Sequence, residues 1–147
     1  MEFSTDAQRA IFERILPMLE EVFGDCATLR DDVPGVSVMV GSALAEVGVH
    51  PWGSHEAVVN TRAYVVTGAE ITPELTHFLL RKNNETLFGA FGLDSDDDIF
   101  FEHTIVGSTC DKEELHASVL AVVETADDLD EEIMARWGGQ RARDTLG

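Results

Sequence analysis

Residues 36–66 read VSVMVGSALAEVGVHPWGSHEAVVNTRAYVV. Val36, Val38 and Val40 alternate with Ser37 and Met39, the period of two that sends successive side chains to opposite faces of a strand. Gly41-Ser42 suits a two-residue hairpin turn with glycine first. Ala43, Ala45, Val47 and Val49 resume the alternation, and His50-Pro51-Trp52-Gly53-Ser54 breaks it. A third strand follows over 56–66. Three consecutive strands joined by short links form an antiparallel meander. With Val47 and Val49 turned inward, Leu44, Glu46 and His50 face the other way. On the third strand Ala57, Val59, Thr61, Ala63 and Val65 share one side; Val58, Asn60, Arg62, Tyr64 and Val66 share the other. The outer side is half apolar, which predicts a dimer contact or a surface for a chain segment.

The period changes to 3.6 on both flanks of the meander. Thr5 with Gln8 makes a capping box, and Ala7, Ile11, Ile15, Leu19 and Val22 recur at helical spacing. That predicts a helix over 5–23 ending near Gly24, kinked or split at Pro17, which removes a donor and clashes one turn back. Residues 25–35 read as loop. Thr72-Pro73 predicts a second helix start. Leu75, Phe78, Leu79 and Leu80 lie on its buried side, and Asn83-Asn84 end it in a left-handed turn. Strands are expected at about 86–93 and 98–106, joined by the acidic hairpin 94–98. From near Asp111, with Thr109 or Asp111 as the cap, the residues Leu115, Val119, Val122, Ala126, Leu129, Ile133 and Trp137 outline one long helix stopped by Gly138-Gly139. The order α-β-β-β-α-β-β-α predicts an α+β, two-layer fold: a mostly antiparallel five-stranded sheet with helices on one face. It reads as a single domain over 1–147, with its core at about 4–137 and a loose tail over 138–147.

The chain has 147 residues, 44% hydrophobic and 26% charged, with 28 Asp and Glu against 10 Lys and Arg, a net charge of -18. That balance repels nucleic acid and anionic membranes, and no apolar run approaches the ~20 residues of a membrane span. The opening MEFSTDAQRA lacks the basic-then-apolar order of a signal peptide. The two cysteines, Cys26 and Cys110, exclude a disulfide scaffold and fit a reducing cytoplasm. Residues 94–132 hold 14 of the carboxylates and a single basic residue, Lys112. Asp127, Asp128, Asp130 and Glu131 among them are expected on a solvated ridge of the last helix. That ridge serves solubility or steers a basic partner.

No chemistry-bearing motif stands out. His103 and Cys110 lie near one another in sequence without an orienting third group. Asp94, Asp96 and Asp98 resemble the start of a calcium loop, but Ile99 and Ile105 fall where that loop needs Gly and Glu. Gly89 and Gly92 belong to no phosphate-binding pattern. The sequence therefore predicts no catalytic residue, cofactor or metal. The candidate partner surface is Trp52, Tyr64, Asp127, Asp128 and Glu131.

The phrases LFGAFGLDSDDDIFFEHTIVG and ELHASVLAVVETADDLDEEI resemble the YbjN-like proteins, grouped with type III secretion chaperones of the CesT and SycE kind. Gly41-Ser42, Leu79 and Leu80 with Asn83, Phe88-Gly89 with Phe91, and Ala126-Asp127 carry the likeness, over roughly 4–137. The chain departs from it at Pro17 and in the short helix near 73–83. The resemblance implies a fold that is usually dimeric, and small, acidic, cytosolic proteins that wrap an extended partner segment. The expected function is a non-enzymatic module that binds a protein or peptide. The alternative is a homodimeric structural or regulatory protein without a client.

Overall fold

The computed structural model of the protein describes residues 1–41 and 43–142. In chain order it holds α1 (Asp6–Phe23), a 3-10 turn (Gly24–Cys26), β1 (Ala27–Leu29), β2 (Gly35–Val40), β3 (Ala43–Trp52) and β4 (Glu56–Thr67). Then come α2 (Pro73–Glu85), β5 (Ala90–Leu93), β6 (Ile99–Val106), a second 3-10 turn (Gly107–Thr109), α3 (Lys112–Trp137) and β7 (Gln140–Arg141). All pairings are antiparallel, in the order β1-β2-β3-β4-β6-β5, with β7 added to β4. The two-layer α+β architecture agrees with the expected class. Two short strands, β1 and β7, bring the sheet to seven rather than five. Three- and two-residue strands carry no alternation that a sequence could display.

One side of the sheet meets the helices. Ile11, Phe12, Ile15 and Leu19 of α1 pack with Val36, Val38, Val47, Val49, Val59 and Ile105, joined by Leu115 and Val119 of α3. Farther along α3, Val122, Ala126, Ile133 and Trp137 pack with Leu75 and Leu79 of α2 and with Ala63, Val65, Ile99 and Phe101. The inward set read from β3 and β4 is buried, and so is Val66, expected on the other side: the irregularity between Tyr64 and Val66 turns it into the core.

Local chemistry explains the departures. The first helix is one element, because Pro17 and Glu13, the residue one turn back whose carbonyl loses its donor, are both exposed and meet water. Thr5 Oγ1 caps it by accepting from Gln8 N at 3.0 Å. The strand expected to break at His50, β3, runs through Pro51 to Trp52. Val49 N still donates to Pro34 O, at 3.0 Å, but Pro51, two residues on, lies past the end of β2, where no ladder bond is lost. The left-handed end expected at Asn83-Asn84 does not form; α2 continues to Glu85 and Thr86 follows in an extended conformation. Asn83 instead pairs with the outer edge of β5, accepting from Phe91 N at 2.7 Å and donating to Phe91 O at 3.3 Å. That bond leaves only 90–93 as strand. Leu80 points outward at 69% exposure. The expected Gly41-Ser42 turn falls partly outside the described residues, since Ser42 is one of the undescribed positions; Gly41 has φ 59. The expected loose tail is docked over 138–142, and 143–147 lie outside the described residues.

Candidate functional site: the uncovered face of the sheet

The face turned away from the helices is built from cross-strand sets. Ser37, Glu46, Arg62 and Glu102 stand side by side on β2, β3, β4 and β6. Beside them run Gly35, Gly48, Asn60 and Thr104, and then His50, Val58 and Val106. Toward the other end, Tyr64 stands opposite Phe100, and Leu44 opposite Met39. Gly35 and Gly48 carry no side chain. The His50 ring lies over Gly48 and the Arg30 stem beside Gly35, and these residues, with Gln8, Val33 and Pro34, line a trough of about 780 Å³.

The middle of the trough is charged but already paired. Arg62 Nε and Nη2 lie 3.1 and 2.8 Å from one oxygen of Glu102, and Asn60 Nδ2 donates to the same oxygen at 2.9 Å. The Arg62 guanidinium also stacks 3.8 Å above the Phe100 ring. Glu46 accepts from Ser37 Oγ at 2.7 Å and pairs with Arg30 at 3.3 Å. Tyr64 Oη donates to Asp94 Oδ2 at 2.9 Å, while Asp94 Oδ1 accepts the N–H groups of Asp96 and Asp98. Those bonds, led by the Asp98 N–H, hold the Asp94 carboxyl below its usual range; burial and the same carboxylate push the Tyr64 phenol up. Tyr64 is thus a fixed hydrogen-bond donor near neutral pH. Asp94, Asp96 and Asp98 each bring an oxygen within 4.8 Å of the others, but both Asp94 oxygens are committed to the turn and to Tyr64.

The five residues named from sequence fall in three places. Trp52 stands at one end of the uncovered face, 61% exposed, beside Val58 and Val106. Tyr64 lies eight residues along β4 from Trp52's partner Glu56, about 27 Å away at ~3.4 Å per residue. Asp127 shares a small cavity with Tyr64 and Leu44, so the start of the acidic ridge reaches the end of this face. Asp128 and Glu131 are exposed on α3. Asp130 is not on the ridge: it is 5% exposed and lies 2.9 Å from Arg141. Burial raises its pKa, and Arg141 partly offsets this. Leu129, expected on the buried stripe, is half-buried at the margin of the core. Sequence reasoning placed Asn60, Arg62 and Tyr64 on one side of their strand but missed the Arg62–Glu102 centre. The signal was the alternation of polar groups on that side, and their partner emerges only when β6 pairs with β4.

The His103–Cys110 pair does not form a nucleophilic centre. His103 Nδ1 lies 2.7 Å from Ser118 Oγ, and burial pushes the Cys110 thiol up to about 11, opposite to what an attacking thiolate needs. Burial also lowers the His103 pKa, with the Glu114 carboxylate working against it. The unfolded chain, with an ordinary histidine near ~6.5, then takes up the proton first. This contribution to stability is intact above ~6.5 and is lost as the pH falls through the window below it. Urea midpoints between about pH 7.5 and about pH 5 are expected to fall more steeply for the native protein than for His103→Gln.

Among the described residues, helices cover one face of the sheet and leave the other, half-apolar face open. Residues 10–145 match the TY-Chap1 family, described as T3SS (YopN, CesT) and YbjN peptide-binding chaperone 1, and the chain belongs to that family. It is a non-enzymatic, peptide-binding, chaperone-like protein. Among solved structures it is similar to the Yersinia pestis type III secretion chaperone SycH, solved in complex with a stable fragment of YscM2. The two are 18% identical with a TM-score of 0.54, over 83% of this chain and 98% of that one, a likeness of fold. No curated protein matches. Among the described residues no helix is long and apolar enough to cross a membrane.

Proposed function

We propose that this protein holds an extended partner segment across the uncovered sheet face and works in the cytoplasm. The observation that carries the reading is the arrangement of that face. Apolar groups stand at both ends, Trp52, Val58 and Val106 at one and Leu44 and Tyr64 at the other, with paired charges between them. An extended chain alternates its side chains, so its apolar positions fit the ends and its polar ones the middle. Basic residues of the partner are drawn to Asp127, Asp128 and Glu131, in keeping with the net charge of -18. Binding to an array of overlapping partner peptides tests this. Peptides that mix apolar and basic residues are expected to bind, and Trp52→Ala or Tyr64→Ala to weaken them. Asp127→Asn, Asp128→Asn and Glu131→Gln together are expected to weaken the basic peptides several-fold at low salt, and the difference to vanish by about 0.5 M NaCl, where the Debye length is a few ångströms. The same neutralisation is expected to raise the melting temperature, since each like-charge i,i+4 pair, such as Asp127 with Glu131, costs ~0.2–0.5 kcal/mol. A protein that binds no peptide but forms a clean dimer supports the homodimeric reading without a client.

A second feature supports self-association. Leu80, Leu87 and Phe88 lie within or just after α2, and they are 69%, 95% and 48% exposed. An apolar group of this kind is what a second copy covers. The native protein is expected to run as a dimer in light scattering, and Leu87→Asp as a monomer with an unchanged circular dichroism spectrum.

A further inference from the structure

Strand β3 parts from β4 partway along the sheet. Their last paired residues are Glu46 and Arg62; beyond them Ala43, Leu44 and Ala45 pair with β2 alone. On its other edge β4 stays paired with β6 as far as Val66. Residues 63–67 of β4 therefore face a cleft where β3 would otherwise lie. The chain fills that cleft itself. Gly138 and Gly139, at φ 77 and 87, reverse the path after α3, and Gln140 and Arg141 pair with Thr67 and Val66 as β7. Ala142 is 1% exposed, and it borders the same cavity as Ala43, Leu44, Tyr64 and Ala126.

Charge adds to the ladder in holding the segment. Arg141 lies 2.9 Å from Asp130 through Nε and 3.2 Å from Glu131 through Nη2. The Nε atom is buried without an aligned acceptor, so the anchor is imperfect. A cavity of about 50 Å³ remains beside it.

We propose that the cleft between β3 and β4 is a strand-accepting peptide site that residues 139–142 occupy in cis. A partner segment with an arginine followed by a small apolar residue displaces them. This rests on the reading of the protein as a peptide-binding module and extends it, since Glu46, Arg62 and Tyr64 border both the trough and the cleft. A tethered segment has an effective concentration on the order of millimolar. It therefore excludes weak ligands and yields to tighter ones.

The test uses the full chain with Cys26→Ser, because Cys26 is exposed and Cys110 buried. Thr67→Cys and Gln140→Cys, directly opposite in the register, lock the segment when oxidised. Arg141→Glu, in a separate variant, sets a third carboxylate against Asp130 and Glu131 and frees it. The probe is a fluorescein-labelled peptide of the chain's own residues 138–147, with an Arg141→Glu peptide as control. Anisotropy titration is expected to show at least tenfold tighter probe binding to the Arg141→Glu protein than to the parent. The oxidised double-cysteine form is expected to bind no better than it binds the control peptide, and reduction to restore binding to the parent's level. Equal binding by the oxidised and reduced forms overturns the proposal, as does an Arg141→Glu protein that folds and binds no more tightly than the parent. The array of partner peptides separates the two readings. If the locked protein keeps its partner peptides and Trp52→Ala loses them, the cleft is wrong and the face reading stands. If neither change affects them, both fall.

Discussion

Ile133→Ala is expected to lower the unfolding free energy by about 2–5 kcal/mol, the usual cost of emptying a buried aliphatic site. Ile133 is 0% exposed and belongs to the cluster that joins α3 to α2 and to the far half of the sheet. Removing its outer carbons loses burial and leaves a void between three elements that cannot all close on it. Leu129, one turn earlier, is half-buried at the margin of the same cluster, and Leu129→Ala is expected to cost clearly less, about 1 kcal/mol. Urea denaturation of the two variants beside the parent measures both. Equal losses would mean that α3 is rotated from the position described.

Gly89→Ala is the second change with a large expected effect, about 2–4 kcal/mol. Gly89 has φ 83, which an L side chain rarely adopts. A Cβ there would stand 2.5 Å from the carbonyl oxygen of Glu102 and 2.7 Å from the Phe101 ring. The first neighbour is backbone in a paired strand, and the second is a 0% exposed ring in contact with Phe91, so neither yields cheaply. The loss is expected to come with a change at the surface, because Gly89 sets the direction of Phe88, whose ring meets His103 edge-on at 5.5 Å. Thermal melts together with light scattering check this. The variant is expected to melt lower and also to dimerise less, whereas a Cβ at Gly92 meets the Phe100 ring at 2.5 Å without a left-handed backbone to strain.

Charge tells a similar story of local rule and global override. Sequence spacing put Asp130 on the solvated ridge with Asp127, Asp128 and Glu131, because nothing near it in sequence is basic. Arg141 arrives from beyond the turn at Gly138-Gly139, so the pair depends on where the segment after α3 docks. Leu129, the neighbour of Asp130, packs at the margin of the core rather than within it. The Arg62–Glu102 centre is of the same kind, 40 residues apart in sequence and adjacent only through the β4–β6 register.

Repeated local patterns were enough to determine the elements and the class of fold. Alternation in 36–66 set which faces of β2, β3 and β4 are buried, and Thr5, Thr72 and Asp111 capped the three helices as their side-chain chemistry requires. Pro17 shows the boundary of such rules: its cost depends on whether the orphaned carbonyl faces water, and only packing decides that. Strands of two or three residues, the trough over Gly35 and Gly48, the docking of 138–142 and the partners of Arg62 and Asp130 belong to the tertiary structure. Each depends on contacts between residues far apart in sequence, for which no local periodicity exists to be read.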